Sequence, residues 1–365
     1  MVTTQAALAE MIDHLADSGA FAFDSEFIGE RSYISQLCLV QVATAQHVFL
    51  VDPQADIDLA PFWAQIVSPA SEKLLLAGQQ DLEPAARHTG LAPANIMDLQ
   101  IAAGFVHVDY PLSLTRLLEE FIGVSLGKAH SFSNWERRPL TPVQIRYASD
   151  DVRYLLAARE VVGKRLTETK RLAWAKEECA ATLEDMTLYR PAPETLFLRV
   201  RTRDPLRPRQ RAVLRELAIV RDQAARAENV PPRTLLPDGL LITMARRPVG
   251  NVTELDGIRG LPRPVETRYG QQIVEATARA LALPENALPP EEPVETATLR
   301  NQADRVFDEI CRHSQERSVA PALVASRREI VRLCHAVSKG QPVDQHRLYR
   351  GWRKQLLGGL LERLL

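Results

Sequence analysis

The fold is decided by a short stretch near the N-terminus, Phe21-Ala22-Phe23-Asp24-Ser25-Glu26-Phe27. Its apolar flanks predict a buried β-strand, in which successive side chains point to opposite faces. Asp24 and Glu26 therefore share one face, with their Cα atoms roughly 6 to 7 Å apart. Two buried like charges repel each other, so this pair requires a cation, a proton or a basic partner. The alternative is an edge strand that turns its acidic face to water.

The segments around this strand predict an α/β domain. A helix over 3–18 precedes it, and strands over 37–42 and 47–51 follow so closely that they suggest a meander. Apolar runs and helical spacings then alternate. They predict strands over 73–76 and 96–97, helices over 59–66, 81–88, 99–105, 112–121 and 142–156, and a further helical pattern to about residue 183. Alternation of this kind is typical of an α/β domain.

Proline-rich stretches divide the chain into parts. We expect an α/β domain over 1–190, a linker over 191–208, an all-helical domain over 209–283, a second linker over 284–293 and a second all-helical domain over 294–365. A length of 365 residues is consistent with two or three domains. The two helical parts could be a diverged repeat, although their residue-level similarity is weak.

Composition narrows the class of protein. With 45% hydrophobic and 25% charged residues, the chain is ordinary for a globular protein. No apolar run is long enough to span a bilayer, and no basic stretch followed by an apolar core predicts a signal peptide. The cysteines are far apart and fit neither a zinc-ligand spacing nor a disulfide framework: Cys38, Cys179, Cys311 and Cys334. We therefore expect free thiols in a reducing cytoplasm and no membrane partner.

Charge is distributed unevenly along the chain. The net charge of −1 gives no global support to nucleic-acid binding. A dense run of arginines nevertheless lies near the middle: Arg199, Arg201, Arg203, Arg207, Arg209, Arg211 and Arg215. The run is either a solvated linker face or a strip that follows the phosphates of RNA.

Three further residues extend the acidic pair into a candidate metal site. Asp81 follows Gly78 at a predicted strand-to-helix junction, and Tyr147 and Asp151 share a helix face at i, i+4 spacing. Carboxylate oxygens are hard ligands that suit Mg²⁺ or Mn²⁺. Each residue also has an ordinary interpretation. Asp81 could be only an acid at a helix N-terminus, Tyr147 could be packed core, and Asp150 competes with Asp151.

These blocks resemble the exonuclease motifs of the DEDD superfamily. The matching blocks are Phe23-Asp24-Ser25-Glu26-Phe27, Asp81-Leu82 and a Tyr-x-x-x-Asp helix, whose tyrosine marks the tyrosine subtype. The chain resembles the ribonuclease D family in particular. That resemblance continues through Trp135-Glu136-Arg137-Arg138-Pro139-Leu140, Asn229-Val230-Pro231-Pro232, Ile258-Arg259-Gly260-Leu261 and Gly351-Trp352-Arg353. The last three blocks resemble helicase-and-RNase-D C-terminal (HRDC) domains, so the resemblance covers nearly the full chain.

The resemblance implies a ribonuclease H-like exonuclease domain with a mixed sheet, followed by two small all-α HRDC-type bundles. It implies a 3′-5′ exoribonuclease that uses two divalent ions, Mg²⁺ or Mn²⁺, and releases nucleoside 5′-monophosphates. The metal ligands would be Asp24, Glu26, Asp81 and Asp151, and Tyr147 would orient the attacking water. The expected partner is RNA with a 3′ end, in particular a tRNA precursor, and the expected state is a monomer.

The contacts with RNA are predicted from residue type alone. Charge, stacking or polar contacts with the terminal nucleotide are expected from Phe27, Gln36, Lys128 and Trp135, although Trp135 could equally belong to the core. Phosphate contacts are expected from Arg207, Arg209 and Arg211. Two other functions stay open: a DNA 3′-5′ exonuclease of the same superfamily, and a non-catalytic RNA-binding protein.

Overall fold

The computed structural model describes residues 1–127 and 134–365, and the chain divides into two compact units. The sheet unit comprises Met1–Phe27, Leu37–Arg190 and Glu295–Leu365. The helical unit comprises Ile28–Gln36 and Pro191–Val294. Among the described residues, no helix combines the length and apolar character that crossing a bilayer requires.

A five-stranded sheet in the order β3-β2-β1-β4-β5 forms the centre of the sheet unit. Its strands are β1 (Ala20–Ile28), β2 (Gln36–Ala43), β3 (Val48–Val51), β4 (Glu72–Leu75) and β5 (Ile96–Asp98). β2 and β3 pair antiparallel, whereas β1, β4 and β5 are parallel, which confirms the predicted mixed sheet. The alternative interpretation of the Asp24 strand as an edge strand is wrong, because β1 lies between β2 and β4.

Two aromatic side chains fix β1 in the core. Phe21 and Phe23 are almost fully buried, and the ring of Phe23 lies edge-on to Phe62 at 6.3 Å between centroids. In the described ladder, β4 pairs only with residues 20–22 of β1. The following residues of β1 therefore have a backbone edge that can bond groups other than β4.

Helices cover the sheet, and local sequence fixes where they begin. They are α1 (Gln5–Ser18), α2 (Ala60–Val67), α3 (Gln79–Thr89), α4 (Leu99–Ala103), α5 (Leu114–Ile122), α6 (Pro142–Arg153), α7 (Leu155–Glu168), α8 (Leu172–Leu183) and α9 (Met186–Tyr189). The N-cap residues Asp98, Ser113 and Thr141 each accept a backbone N–H bond at the start of α4, α5 and α6. Thr141 and Gln144 form a capping box, which sets the phase of every side chain on α6.

The helical unit is built around one long helix. Its helices are α10 (Pro208–Glu228), α11 (Pro232–Leu235), α12 (Asp238–Arg246) and α13 (Arg263–Leu281), with 3₁₀ turns at Pro193–Arg199, Val252–Gly257 and Glu285–Ala287. Residues 191–208, expected to be a linker, place Phe197, Val200 and Leu206 in the core of this unit. This stretch is therefore folded onto the helices, and the exact domain boundaries stay a prediction.

The C-terminal helices share the hydrophobic core of the sheet unit. They are α14 (Ala297–Gln315), α15 (Pro321–Val324), α16 (Arg327–Ser338), α17 (Gly351–Leu357) and α18 (Leu360–Leu364), with a 3₁₀ turn at Arg347–Tyr349. A buried ion pair joins α17 to α8: the Arg353 guanidinium donates to both carboxylate oxygens of Glu178 at 2.7 and 2.6 Å. The indole of Trp352 also donates to Glu178, at 2.7 Å. The assignment of this segment as a second HRDC-type domain stays a prediction.

Removal of one partner of this buried pair is expected to destabilise the sheet unit. Glu178→Gln should lower the free energy of unfolding by about 3 to 5 kcal/mol, because the Arg353 charge would stay buried without its counter-charge. Denaturant unfolding followed by tryptophan fluorescence measures this effect. The exposed pair Arg312–Glu309 provides the control, since Glu309→Gln should cost about 1 kcal/mol or less. Equal losses in the two variants would contradict the assigned importance of the buried pair.

Candidate active site

The central strand supplies two acids that are held close to other acids. Burial and the neighbouring Asp151 carboxylate raise the pKa of Asp24 to about 7. Burial and then the charges of Asp24, Asp151 and Asp81 raise the pKa of Glu26 to about 8. Both shifts show that the ionised carboxylates lack compensating positive charge.

Asp81 enters the site from the first turn of α3, where its carboxylate is buried. A Cβ atom at Gly78 would lie only 3.1 Å from Asp81 Oδ2, so the glycine leaves room for this carboxylate. Ser25 Oγ donates to Asp81 Oδ1 at 2.6 Å. Burial and the charge of Asp24 nevertheless raise the pKa of Asp81 to about 8. The Ser25 bonds oppose that rise without cancelling it.

α6 brings Tyr147 and Asp151 to the same site. Burial, followed by the charge of Asp150, raises the pKa of Asp151 to about 7. Asp151 Oδ2 is buried and has no hydrogen-bond partner among the described residues. Asp150 instead lies 3.4 Å from the guanidinium of Arg153, in an ion pair one turn away on α6. Of the two neighbouring acids, Asp151 is the one whose charge acts on Asp24 and Glu26.

The tyrosine beside these acids stays protonated. Burial raises the pKa of Tyr147 well above its usual range, and the charges of Asp151, Glu26 and Asp24 add to that rise. The ring of Tyr147 lies 6.0 Å from that of Trp135 between centroids, in a tilted contact. The phenol can therefore donate a hydrogen bond, and it is unsuited to accept a proton as a general base.

The donor set of this site fits a divalent cation. Its groups are all carboxylates with raised pKa values, and one of their buried oxygens is unpaired. In the part of the chain that the structure describes, no three acidic, histidine or cysteine side chains converge closely enough to hold an ion unaided. Mg²⁺ characteristically binds through one or two carboxylates and completes its shell with water and substrate phosphate.

The residues predicted to contact the terminal nucleotide have different environments. Phe27 is half-buried directly after Glu26, Gln36 is exposed at the first position of β2, and Trp135 is only 4% exposed. Trp135 is therefore core as well as a neighbour of Tyr147. Lys128 lies outside the described residues. Nucleotide contacts by these residues stay predictions.

Sequence reasoning misses two residues that support the site. Strand alternation assigns Ser25 to the opposite face of β1, yet its hydroxyl reaches Asp81. Arg138 donates to both carboxylate oxygens of Asp52 at 2.6 and 2.7 Å, and to the carbonyl of Trp135 at 2.7 Å. Arg138 thus fixes the backbone of the residue whose ring packs on Tyr147. The Arg138-Pro139 block within the family motif is the signal that could have found it.

The arginines predicted to bind phosphate are not equivalent. Arg211 is 9% exposed, pairs with Glu292 at 2.9 Å and lies over the ring of Phe197. The Arg209 guanidinium donates to the carbonyls of Leu281 and Leu283. Arg207 is exposed. Arg211 and Arg209 are thus engaged inside the helical unit, whereas Arg207 faces solvent.

A mixed sheet with acids on its central strand and on two helices is the arrangement that the sequence resemblance implies for a 3′-5′ exonuclease domain. Residues 1–167 match the family described as 3′-5′ exonuclease, and residues 210–277 match the HRDC domain. The chain belongs to the ribonuclease D family. It is 35% identical to ribonuclease D of Gluconacetobacter diazotrophicus over 365 residues, which cover 98% of this chain and 90% of that relative.

Ribonuclease D of Escherichia coli is similar to this chain over its full length, in sequence and in structure. Ribonuclease D of strain K12 is 32% identical over 376 residues, covering 100% of this chain and 98% of that protein. The crystal structure of Escherichia coli RNase D, described as an exoribonuclease involved in structured RNA processing, aligns with a TM-score of 0.83 at 31% identity. That alignment covers 100% of this chain and 98% of the other. The chain is thus a nuclease of the hydrolase class.

Neutralising one acid of the site is expected to stabilise the metal-free protein. At pH 8, Asp24→Asn should raise the melting temperature by roughly 2 to 4 °C, the change that about 1 kcal/mol produces in a domain of roughly 150 to 250 residues. The physical reason is that the substitution removes a buried negative charge and its repulsion with Asp151 and Glu26. Added Mg²⁺ or Mn²⁺ should stabilise the native chain more than the variant. Asp56→Asn, at an exposed position, is the control, and equal responses in both variants would argue against a shared cation site.

Proposed function

We propose that this chain hydrolyses RNA from its 3′ end and releases nucleoside 5′-monophosphates. The observation that carries the proposal is the set of four carboxylates with raised pKa values, on β1, α3 and α6, with a protonated tyrosine beside them. RNA is the proposed polymer because the relatives are ribonucleases and the Escherichia coli protein processes structured RNA. Precursors of tRNA are the proposed substrates, and we propose a cytoplasmic monomer.

The proposed ligands of two divalent ions, Mg²⁺ or Mn²⁺, are Asp24, Glu26, Asp81 and Asp151. When bound, such ions supply positive charge to the scissile phosphate and lower the pKa of a coordinated water. Ser25 holds the Asp81 carboxylate in place through its 2.6 Å bond. The unpaired Oδ2 atom of Asp151 is available as a ligand oxygen.

Tyr147 has the role of orienting the water that attacks phosphorus. Its hydroxyl keeps its proton because burial and the nearby carboxylates raise its pKa. A protonated hydroxyl donates one hydrogen bond and accepts others, so it can fix a water in one orientation. Trp135 packs on the ring, and Arg138 holds the Trp135 backbone, so the hydroxyl is presented from a rigid support.

Two substitutions test these roles separately. Asp24→Asn should reduce release of 5′-monophosphates to near background while leaving RNA affinity intact, since the variant keeps its shape and loses a ligand charge. Tyr147→Phe should lower kcat by on the order of 10²-fold with little change in KM, because only the orientation of water is lost. Tyr154→Phe, at the C-terminal end of α6, is the matched control.

The measurement is release of labelled nucleotide from RNA and DNA strands of one sequence, with Mg²⁺ or Mn²⁺. Undiminished cleavage by Asp24→Asn would refute the proposed site. Equal cleavage of RNA and DNA would favour the alternative of a DNA 3′-5′ exonuclease of the same superfamily. Binding without any cleavage by the native chain would favour a non-catalytic RNA-binding protein.

An exposed group of arginines in the helical unit is proposed to bind RNA phosphates. Its members are Arg199, Arg201, Arg203 and Arg207. Replacing all of them with glutamine should weaken RNA binding and reduce the dependence of log K on log salt by up to about 0.7 for each phosphate that is no longer neutralised. Titrations at several salt concentrations measure this slope. Arg263→Gln, an exposed arginine already paired with Asp256, should leave affinity and slope unchanged. If the variant with all four substitutions has unchanged RNA affinity and an unchanged salt slope, the proposal that these arginines bind phosphates is wrong.

A further inference from the structure

The segment between the acidic strand and its neighbour belongs to the helical unit. The chain passes from Phe27 of the sheet unit to Ile28–Gln36 of the helical unit and returns at Leu37. Ile28 follows Glu26 by two positions, so this segment begins at the acidic end of β1. Its other end is Gln36, the first residue of β2. Any force that holds the segment therefore acts on the backbone beside the site.

Tyr33 holds this segment, which we name the Tyr33 loop (residues 28–36), on one face of α10. Its hydroxyl donates to Asp222 Oδ1 at 2.7 Å, and its backbone N–H donates to Asn229 Oδ1 at 3.3 Å. The Arg226 guanidinium covers its ring at 4.7 Å and also bonds Asp222 Oδ2 at 2.9 Å. Asp222 and Arg226 are four residues apart, and Asn229 caps the end of the same helix.

The Tyr33 loop is compact in itself. A Cβ atom at Gly29 would lie 2.8 Å from Ser35 Oγ, so the two ends of the loop approach closely. Ser32 Oγ donates to the carbonyl of Ile34 at 2.6 Å, across the position of Tyr33. Because the loop is closed by these contacts, a displacement of Tyr33 at its tip also displaces its two ends. The contacts of Tyr33 can therefore set the positions of Phe27 and Gln36.

We propose that Tyr33 is a positioning residue for the 3′-terminal nucleotide, acting through its clamp on Asp222, Arg226 and Asn229. In this proposal α10 fixes the Tyr33 loop, which begins directly after Phe27 and ends at Gln36. The residue acts on substrate binding, because it touches none of the site carboxylates in the described contacts. This inference rests on the proposed hydrolysis of RNA from its 3′ end.

The test compares Tyr33→Phe with a matched substitution in the same unit. Tyr269 also donates its hydroxyl to a carboxylate, Glu228, at 2.7 Å, and an arginine, Arg268, also bonds that carboxylate. Tyr269→Phe therefore removes a similar bond without touching the Tyr33 loop. Asp222→Asn provides a second route to the same loss, in case one variant folds poorly.

Steady-state kinetics on a short oligoribonucleotide should separate the variants. Tyr33→Phe and Asp222→Asn should each raise KM by on the order of ten-fold, the equivalent of 1.4 kcal/mol, with kcat nearly unchanged. Tyr269→Phe should leave KM at the native value. Hydrolysis of bis(p-nitrophenyl) phosphate, which has no nucleoside to position, should be the same in all of them.

Other outcomes have distinct meanings. If Tyr33→Phe and Tyr269→Phe have equal KM values, or if Tyr33→Phe slows both substrates equally, the clamp has only a structural role and the inference is wrong. If the native chain does not degrade RNA at all, the proposed function is wrong, and the positioning role of Tyr33 that rests on it is wrong as well. Native cleavage with unchanged KM in Tyr33→Phe and Asp222→Asn overturns the inference alone.

Discussion

Burial of acidic side chains near one another is the constraint on which the rest of this structure depends. Asp24, Glu26, Asp81 and Asp151 each have a raised pKa, first because of burial and then because of neighbouring acids, so folding places them there at a cost in free energy. The acids stay in place despite that cost because each one lies on a strand or helix whose position is fixed by packing elsewhere in the core. A central strand held by buried aromatics cannot relax its acids away from one another without disrupting the packing of the core. Protonation, which the raised pKa values favour, and positive charge from outside the chain are the remaining ways to relieve the repulsion.

The parts of the site that could be predicted are those set by local periodicity. Alternation along one strand places Asp24 and Glu26 together, and i, i+4 spacing places Tyr147 and Asp151 together. The same local rules predict the caps of α4, α5 and α6. The bulk of the sheet follows from the alternation of elements. The strand order and connections bring these two local pairs together. In the sequence, only the family resemblance indicates that topology.

The parts that could not be predicted depend on partners far apart in the chain. Arg353 and Glu178 are 175 residues apart, and no local pattern marks either as buried. Ser25 bonds Asp81, which is 56 residues further along the chain, and it lies beyond the part of β1 that pairs with β4 in the described ladder. Arg211 belongs to a run that looks uniformly solvated, yet helical phase turns it inward onto Glu292. A run of arginines in the sequence therefore does not predict which of its side chains are exposed, because tertiary contacts decide that.

An acidic site and an anionic polymer present an electrostatic conflict that this chain must resolve locally. The net charge of −1 provides no general attraction for RNA. Attraction must come from concentrated positive charge, and its range is limited to about 8 Å by physiological salt. The exposed arginines of the helical unit are the groups proposed to bind RNA phosphates, whereas the carboxylates of the sheet unit are the groups proposed to hold cations for the scissile phosphate. Under these proposed roles, RNA affinity and cleavage depend on different charges, so we expect substitutions in one set to leave the property assigned to the other set intact.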